Sequence, residues 1–508
     1  MYKILKLNLL WTLSFLLFIA YKPAFGQTTG SLSIIAGSAK ITGSITKPDG
    51  TSKDSVLITC TVLQPITGDY VRYNEVLDKT GKFSIDVEME TNTVFVGLST
   101  SLNPSKYLLI KLMNGITTNV DIDHDASNVI ANINVSPKMS QYDVTEGFGI
   151  EDKLIWLRTR KVLEPLYNKN PDYFLNDAKN ALTERLKILN SDSVLSSQVK
   201  DVISKDLRLF LYNASVFDYR KSMILNYRNT TKDKSKDPDI QNIDRSYFQF
   251  LKDFQLNDPQ YLLCATFPEF QKTIIKNEII GLPKIGEIDV PSWLSQAKGI
   301  LSNLIGFDKG PYYDILAANA YGRQFTEELR PLSPTQEKNI IRYWKNGEIA
   351  KILLRKNKHV VDLNKYKSPL IVNDVSSVVN EKLIETILNK HKGKVVLIDF
   401  WATWCFPCLD AIHQFKDAKK DFQSRDVAFV YLTNGSSPIK LWEEKIKGIG
   451  NEHYYLKASQ WDYMMGNFDF TGIPSYLLYD KNGKLIHKFT AFPGNDKVKT
   501  MINDLIKK

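Results

Sequence analysis

Two cysteines, Cys405 and Cys408, stand three residues apart, directly after an apolar run at 395–400. The run is long enough for a buried strand, and apolar residues at 409–422 recur at helical spacing. The cysteine pair is therefore predicted where a buried strand gives way to a helix. Spacing i, i+3 puts both sulfurs on one helix face, about one turn apart and close enough to bridge.

The start of a helix favours ionisation of Cys405. Unpaired backbone N–H groups and the positive end of the helix dipole stabilise a thiolate there, and the thiolate is the attacking species. Cys408, one turn further, is placed to resolve a mixed disulfide formed by Cys405. Pro407 is tolerated in the first turn, because its missing N–H costs little there. The pattern predicts a redox-active dithiol.

A structural zinc site, a static disulfide and two buried thiols are the alternatives for this pair. Zinc needs two further ligands, and the sequence has no second closely spaced cysteine pair and no histidine pair at ligand spacing. We predict no metal and no other cofactor. The six histidines are scattered along the chain, and none is predicted to be a catalytic base.

The segment FWATWCFPC at 400–408 resembles the active-site motif of the thioredoxin superfamily. Its nearest likeness is to the TlpA/ResA-like envelope thiol–disulfide oxidoreductases. A second segment, TGIPSYLL at 471–478, resembles the cis-proline loop of that family. The resemblance covers 366–508 and implies a thioredoxin fold for that part.

The resemblance also implies a set of supporting residues. Pro474 would face the cysteine pair, and the backbone of Ile473 would hydrogen-bond an incoming partner peptide. Trp404 and Pro474 would shape an apolar docking surface for that partner. Phe406 and Pro407, between the two cysteines, would support the active site.

Asp399 stands six residues before Cys405, where thioredoxin itself has a buried acid beneath the disulfide. A buried carboxylate has a raised pKa and can accept the proton of the resolving thiol. Many TlpA/ResA-like proteins instead carry an acid three residues after the second cysteine. That position is Ala411 here, and Asp410 is one residue early. Asp399 is therefore the predicted proton acceptor, and the alternative is an acid that caps N–H groups at a strand end.

Residues 1–26 have the pattern of a cleaved secretory signal. A basic start at Lys3 and Lys6 precedes a mostly apolar run, and Ala24-Phe25-Gly26 fits a small-x-small cleavage site. We therefore expect export to the periplasm or cell envelope of a bacterium. An uncleaved membrane anchor is the alternative, although the run is short for a membrane span.

The remaining chain is predicted to form a multidomain protein. Short alternating strands with turn signals at 28–137 indicate an antiparallel β-sandwich, and helical spacing dominates the helical domain at 140–365. An α/β thioredoxin-like domain follows at 366–508. Cys60 and Cys264 have the surroundings of buried apolar residues, with a bridge between them as the alternative.

Composition narrows the functional classes. The chain has 66 basic and 56 acidic residues, a mild excess without a basic stripe, so nucleic-acid binding is not predicted.

We predict a secreted thiol–disulfide oxidoreductase that acts on disulfide-containing proteins and receives electrons from a membrane donor. Because Phe406 carries no charge that would stabilise a thiolate, reduction or isomerisation is favoured over oxidation. The alternatives are a disulfide-forming oxidase, a peroxidase, and an envelope interaction protein with secondary redox activity.

Overall fold

The computed structural model describes residues 32–46, 56–78, 80–157, 163–233, 235–328, 330–365, 370–422 and 426–507. The chain has a β-rich N-terminal region, a helical middle and an α/β C-terminal part. The predicted signal at 1–26 lies outside the described residues. Within the described ranges, none of the helices is long and apolar enough to cross a membrane.

The described residues of the N-terminal region form eight strands, in agreement with the short alternating strands predicted at 28–137. They are β1 Ile34–Thr46, β2 Leu57–Gln64, β3 Asp69–Val76, β4 Lys82–Thr91, β5 Thr93–Thr100, β6 Asn103–Met113, β7 Thr117–His124 and β8 Ile130–Ser136. They make two four-stranded sheets with the orders β4-β1-β7-β8 and β3-β2-β5-β6. Side chains of both sheets, among them Ile41 and Val62, meet in one hydrophobic cluster, so alternate positions of each strand face a common core.

The prediction of a purely antiparallel arrangement was wrong at one strand pair. β1 pairs with β4 antiparallel but with β7 in parallel, from Lys40 opposite Thr117 to Thr46 opposite Asp123. β6 and β7 belong to different sheets, so the short link between them carries the chain across the core. Alternation of apolar residues indicates which face of a strand is buried. It does not indicate whether the strand pairs in parallel or antiparallel, because that depends on the end of the sheet at which the preceding link enters.

The middle of the chain is helical. Its α-helices are α1 Gln141–Ile155, α2 Pro171–Ser191, α3 Ser197–Leu211, α4 Tyr219–Thr231, α5 Phe267–Lys276, α6 Val290–Ile305, α7 Pro311–Thr326, α8 Pro334–Trp344 and α9 Glu348–Lys365. Most of them begin after a side-chain cap, such as Ser196 before α3 and Ser333 before α8. Cys60 in the β-rich region and Cys264 here are buried free thiols, so no bridge joins them.

The C-terminal part is a six-stranded mixed sheet with helices on its faces. Its elements are β9 Leu370–Asn373, α10 Leu383–Lys390, β10 Val395–Phe400, α11 Phe406–Ala418, β11 Val427–Asn434, α12 Ile439–Ile449, β12 Asn451–Leu456, α13 Ala458–Asn467, β13 Ser475–Tyr479, β14 Leu485–Thr490 and α14 Asn495–Ile506. The strand order is β14-β13-β10-β11-β12-β9. β10 is central, and all six of its residues are buried because helices cover both faces.

A short 3-10 turn, Asn380–Lys382, precedes α10, which begins at Leu383. β9 was not predicted, because its four residues are too few to show a period. It pairs in parallel with β12 and forms the edge of the sheet.

A buried turn at 65–68 joins the β-rich region to the helical middle. The carboxylate of Glu90 accepts hydrogen bonds from the backbone N–H groups of Ile66 and Thr67, at 2.6 and 3.0 Å. From the other side, Asn319 of α7 donates to the carbonyl oxygens of Pro65 and Ile66, at 2.9 and 3.2 Å. The two regions are therefore held together by hydrogen bonds of a buried turn whose polar groups need those partners.

Because α7 packs closely against this turn, a methyl group added to α7 at the contact is expected to lower the stability of the protein. A Cβ at Gly322 would lie 2.1 Å from the backbone oxygen of Thr67, whereas nothing lies within 4 Å of a Cβ at Gly299 in α6. Gly322→Ala is expected to lower the free energy of unfolding by roughly 1–3 kcal/mol, because backbone must shift. Gly299→Ala, the matched helical control, is expected to raise it by about 0.5–1 kcal/mol. Chemical denaturation measures both, and equal effects of the two substitutions would contradict this packing.

Candidate active site

The two cysteines of the predicted motif lie at the start of α11. Their sulfurs are joined in a disulfide, and their Cα atoms are 5.3 Å apart. The backbone N–H of Cys408 donates to the sulfur of Cys405 at 3.2 Å. Cys405 is 3% exposed and Cys408 is fully buried, so Cys405 is the sulfur nearer to solvent. A backbone N–H aimed at Cys405 stabilises a thiolate there once the disulfide opens.

The loop before the cysteines is fixed by the loop after β11. The backbone N–H of Thr403 donates to the hydroxyl of buried Ser437 at 3.0 Å, and the indole N–H of Trp404 donates to Ser436 at 3.0 Å. Ser437 also shares a 2.8 Å hydrogen bond with Thr433 at the end of β11. These hydrogen bonds hold the chain where it leaves the sheet and enters α11.

The residues around the cysteines differ in exposure. Trp404 is 62% exposed, which is unusual for so large an apolar side chain and makes its ring available to a partner. Pro407 is exposed in the first turn of α11. Phe406 begins the helix, and its side chain lies outside the described residues.

The second sequence motif lies against the same cluster of side chains. The peptide bond between Ile473 and Pro474 is cis, Pro474 is buried, and the half-buried Ile473 packs on the cluster that contains Cys405 and Cys408. The carbonyl of Pro474 accepts from the backbone N–H of Ala491 at 2.9 Å. The motif thus lies beside the cysteine pair, although it follows 66 residues later in the chain.

Asp399 lies near the end of β10, beneath α11. It borders a cavity of about 10 Å³, about the space of one water molecule, together with Ala411 and Ile412 of α11 and Tyr431 of β11. Ala411 and Ile412 are one helical turn beyond Cys408. Asp399 is 6% exposed, and its Oδ1 has no hydrogen-bond partner among the described residues. Burial raises the pKa of this carboxyl to about 8.

A lysine that the sequence motif did not indicate belongs to the same site. Lys419, just after α11, places its Nζ over the ring of Tyr431 at 4.7 Å and donates to Asn451 Oδ1 at 3.3 Å. Burial lowers the pKa of Lys419 to about 7, and the charge of Asp399 opposes that shift. The same attraction opposes the rise at Asp399. Burial therefore brings the pKa of Asp399 and that of Lys419 close to neutral pH from opposite sides.

His453 is the histidine that the fold brings under this site. Its ring stacks on Tyr431 with centroids 5.0 Å apart, and its Nε2 lies 2.8 Å from the carbonyl oxygen of Gly450. Burial lowers its pKa to about 3, so it is neutral at physiological pH. It packs rather than transfers protons, whereas the side chains of His413 and Asp410 lie outside the described residues.

The fold thus brings Cys405, Cys408 and the half-buried Ile473 into one hydrophobic cluster, and Asp399 lies beneath the helix that carries the cysteines. Trp404 precedes Cys405 in the chain, and Pro474 follows Ile473. Sequence reasoning missed Lys419, Ser436 and Ser437. Lys419 is 11 residues beyond Cys408, at a spacing that no motif marks. The hydroxyl groups of Ser436 and Ser437 accept hydrogen bonds from the loop before the cysteines. Such contacts join segments that are distant in the sequence, so only the tertiary structure shows them.

Comparison with known proteins gives matches for the C-terminal part. Residues 375–503 match the model of the AhpC/TSA family. The thiol-disulfide oxidoreductase ResA of Bacillus subtilis (strain 168) is 30% identical over 113 residues, which are 22% of this chain and 60% of that protein. A thioredoxin of Coprinus comatus is 26% identical over 76 residues, which are 15% of this chain and 72% of that one.

Among solved structures, a thiol:disulfide interchange protein of the thioredoxin family from Chlorobium tepidum TLS is 23% identical. It covers 23% of this chain and 83% of its own, with a TM-score of 0.22. This chain spans 60% of the length of the Bacillus subtilis ResA.

The raised pKa of Asp399 predicts how stability depends on pH. Between about pH 4 and pH 8 the unfolded carboxyl is ionised while the folded one stays protonated, so its contribution to stability falls as pH rises. Asp399→Asn is expected to raise the free energy of unfolding of the oxidised protein by roughly 5 kcal/mol at pH 8 and to leave it almost unchanged at pH 4.

Denaturant titrations at several pH values test this expectation. Asp462→Asn, which removes an exposed carboxylate of α13, is the control and should show no such trend. A gain for Asp399→Asn that does not grow between pH 4 and pH 8 would contradict the buried, protonated carboxyl.

Proposed function

We propose that this chain, whose C-terminal part is a thioredoxin-like domain, is a thiol–disulfide oxidoreductase that acts through Cys405 and Cys408. One observation carries the proposal: the disulfide lies in the first turn of α11, where the Cys408 N–H donates to the Cys405 sulfur at 3.2 Å. A backbone donor at that sulfur favours thiolate on Cys405, and Cys408 is one helical turn away to displace the partner.

The first step is attack by the reduced protein on a partner disulfide. The Cys405 thiolate attacks one partner sulfur, the partner S–S bond breaks, and the other partner sulfur leaves as a thiolate that takes a proton from solvent. The exposed ring of Trp404 and the loop at Ile473 and Pro474 flank Cys405 and would hold the partner chain. Their apolar surface favours a partner that is extended or partly unfolded around its disulfide.

The second step releases the partner. Cys408 must lose its proton before its sulfur attacks Cys405, and the buried position of Cys408 keeps bulk water from accepting it. We assign that role to Asp399, which borders a water-sized cavity under α11 beside Ala411 and Ile412, one helical turn beyond Cys408. The Cys408 sulfur then attacks Cys405, the mixed disulfide breaks, and the partner leaves reduced while Cys405 and Cys408 become oxidised.

The proton acceptor must be ionised at the moment it acts. Burial raises the pKa of Asp399 to about 8 even with Lys419 nearby, so only a minor fraction of the carboxyl is ionised near pH 7. The Lys419 ammonium keeps that fraction larger than burial alone would allow. Lys419 is therefore proposed as a positioning residue that holds the carboxylate form within reach near pH 7. Neither group contacts the partner in this account.

Reduction or isomerisation of disulfides is the proposed direction. Phe406, between the cysteines, adds no positive charge that would stabilise the reduced form strongly. A reductase outside the cytoplasm needs electrons, which we assign to a membrane donor, and the predicted signal at 1–26 supports a periplasmic or cell-envelope location. The β-rich region at 28–137 and the helical region at 140–365 are proposed as separate domains that help select the partner.

Single-cysteine variants test the order of the two thiols. Cys408→Ser is expected to accumulate a mixed disulfide with a partner such as insulin, because the resolving sulfur is missing. Cys405→Ser is expected to form far less of it and to lose insulin reduction. Non-reducing electrophoresis and mass spectrometry measure the adducts, and Cys264→Ala controls for the buried thiol outside the motif. Equal trapping by Cys405→Ser and Cys408→Ser would overturn the assignment.

The proton-acceptor role predicts a kinetic effect with a distinct pH profile. Asp399→Asn should slow release of the partner from the mixed disulfide by on the order of 100-fold at pH 7, while attack by Cys405 changes little. Lys419→Met should shift the pH midpoint of release upward, because the carboxyl loses the cation that lowers its pKa. Rapid-quench single turnovers separate the two steps. Equal slowing of attack and release, or an unmoved midpoint in Lys419→Met, would contradict these roles.

A further inference from the structure

A cavity of about 450 Å³ lies between the helical middle of the chain and α12 of the C-terminal part. Its volume is that of a small-molecule site. Part of its wall is apolar and comes from Ile275 of α5, Ile285 and Ala320 of α7. Four cationic side chains line the cavity as well, and they are Lys284, Arg323, Arg330 and Lys447.

One side of the cavity is a loop, 283–286, whose backbone is held by buried side chains. The indole N–H of Trp293 donates to the carbonyl oxygen of Pro283 at 2.8 Å, and the amide of Gln336 donates to that of Gly286 at 3.1 Å. Trp293 is fully buried and Gln336 is 4% exposed. The loop therefore has its shape without a ligand, which is the usual property of a small-molecule site.

Arg323 in the wall belongs to a cluster in which cations outnumber carboxylates. Its guanidinium lies 3.2 Å from the carboxylate of Glu327, and the ammonium groups of Lys272 and Lys276 pair with the same carboxylate. Lys272 also pairs with Glu269 at 3.0 Å. Because three cations share two carboxylates, the cluster keeps one positive charge.

Two lysines of the wall add to this excess. Lys284 of the loop and Lys447 near the end of α12 make no ion pair with a carboxylate among the residues that the structure describes. Arg330, in contrast, is paired with Glu328. The surroundings of the cavity thus carry an excess of positive charge, one from the Arg323 cluster and one from each lysine.

The acidic residue that follows the loop does not cancel this charge inside the cavity. Glu287 is not part of the wall, and its carboxylate accepts a hydrogen bond from the hydroxyl of Ser333 at 2.7 Å. Cations that face one cavity without a matching carboxylate attract an anion to it, because like charges at short range raise the energy of the empty site.

We propose that this cavity binds a small organic anion, a phosphate monoester carried on an apolar body. The phosphate oxygens would accept hydrogen bonds from Lys284 and Lys447, and the two negative charges of the phosphate would offset most of the excess. The apolar body would lie against Ile275, Ile285 and Ala320. Since Lys447 belongs to α12 and the other wall residues to the helical middle, the bound anion would join these two parts of the chain. The inference concerns a site apart from the disulfide and does not rest on the proposed redox function.

Three probes with one benzyl body and different end groups test the charge preference. Benzyl phosphate carries two negative charges, phenylacetate carries one and benzyl alcohol carries none. Calorimetry with the purified oxidised protein at low salt should find benzyl phosphate about tenfold tighter than benzyl alcohol, because hydrogen bonds to a charged acceptor are stronger. Phenylacetate should lie between them. Equal affinities of the three probes, or no saturable binding of benzyl phosphate, would overturn the proposal.

Salt gives a second test of the same preference. Lys284 and Lys447 are exposed, so ions of the solvent reach them. At about 1 M salt, where charges are screened within about 3 Å, the tenfold difference between benzyl phosphate and benzyl alcohol should shrink several-fold. A difference that does not depend on salt would contradict binding through these two ammonium groups.

Variants locate the preference in the cavity. The double substitution Lys284→Ala and Lys447→Ala should bring the affinity of benzyl phosphate down to that of benzyl alcohol. Its matched control is Lys187→Ala with Lys440→Ala, which removes two exposed lysines of α2 and α12 outside the cavity and should keep the tenfold difference. Thermal unfolding shows whether each variant is folded. A preference that survives the first double substitution, or that is lost equally in the control, would contradict this site.

A larger side chain at Ala320 tests the space. Ala320→Leu would place three more carbon atoms in the cavity and should weaken benzyl phosphate and benzyl alcohol alike, because both bodies need the same apolar wall. Calorimetry on the folded variant measures both affinities. Unchanged binding of both probes to Ala320→Leu would contradict the placement of the apolar body.

Discussion

The hydrogen bond from the Cys408 backbone N–H to the Cys405 sulfur is the interaction on which the candidate active site depends. It exists because α11 begins immediately after Cys405, so that the first free N–H groups of the helix point toward that sulfur. Thr403 and Trp404 are held by serines of the next loop, which fixes where the helix starts. A shift of that start by one residue would turn the N–H away and remove the stabilisation of a thiolate.

Burial is the second constraint, because it raises the pKa of an acid and lowers the pKa of a base. It raises the pKa of Asp399 and lowers that of Lys419, and the attraction between them reduces both shifts. Both pKa values thereby lie close to neutral pH, beneath a disulfide that is almost fully buried. Such an arrangement costs stability, a common property of sites that are organised for chemistry.

Local signals in the sequence predicted much of the site. The strand at 395–400, the i, i+3 cysteines and the proline at 474 are each visible within a few residues, and the β-rich character of the N-terminal region follows from alternation and turn residues. The parallel pairing of β1 with β7, the edge strand β9 and the approach of Lys419 to Asp399 were not predictable in this way. They depend on contacts between segments that are distant in the sequence. The spacing of residues within one segment carries no information about such contacts.

The proposed function requires Cys405 and Cys408 to form a reversible two-electron couple that works as a reductant. The reduction potential of the purified protein, measured against a series of glutathione ratios, tests it most directly. We expect a value near or below about −250 mV, in the range of thioredoxin-type reductants. A value near about −120 mV would contradict a reductase and favour a disulfide-forming oxidase, and the lack of any reversible couple would contradict the redox function itself.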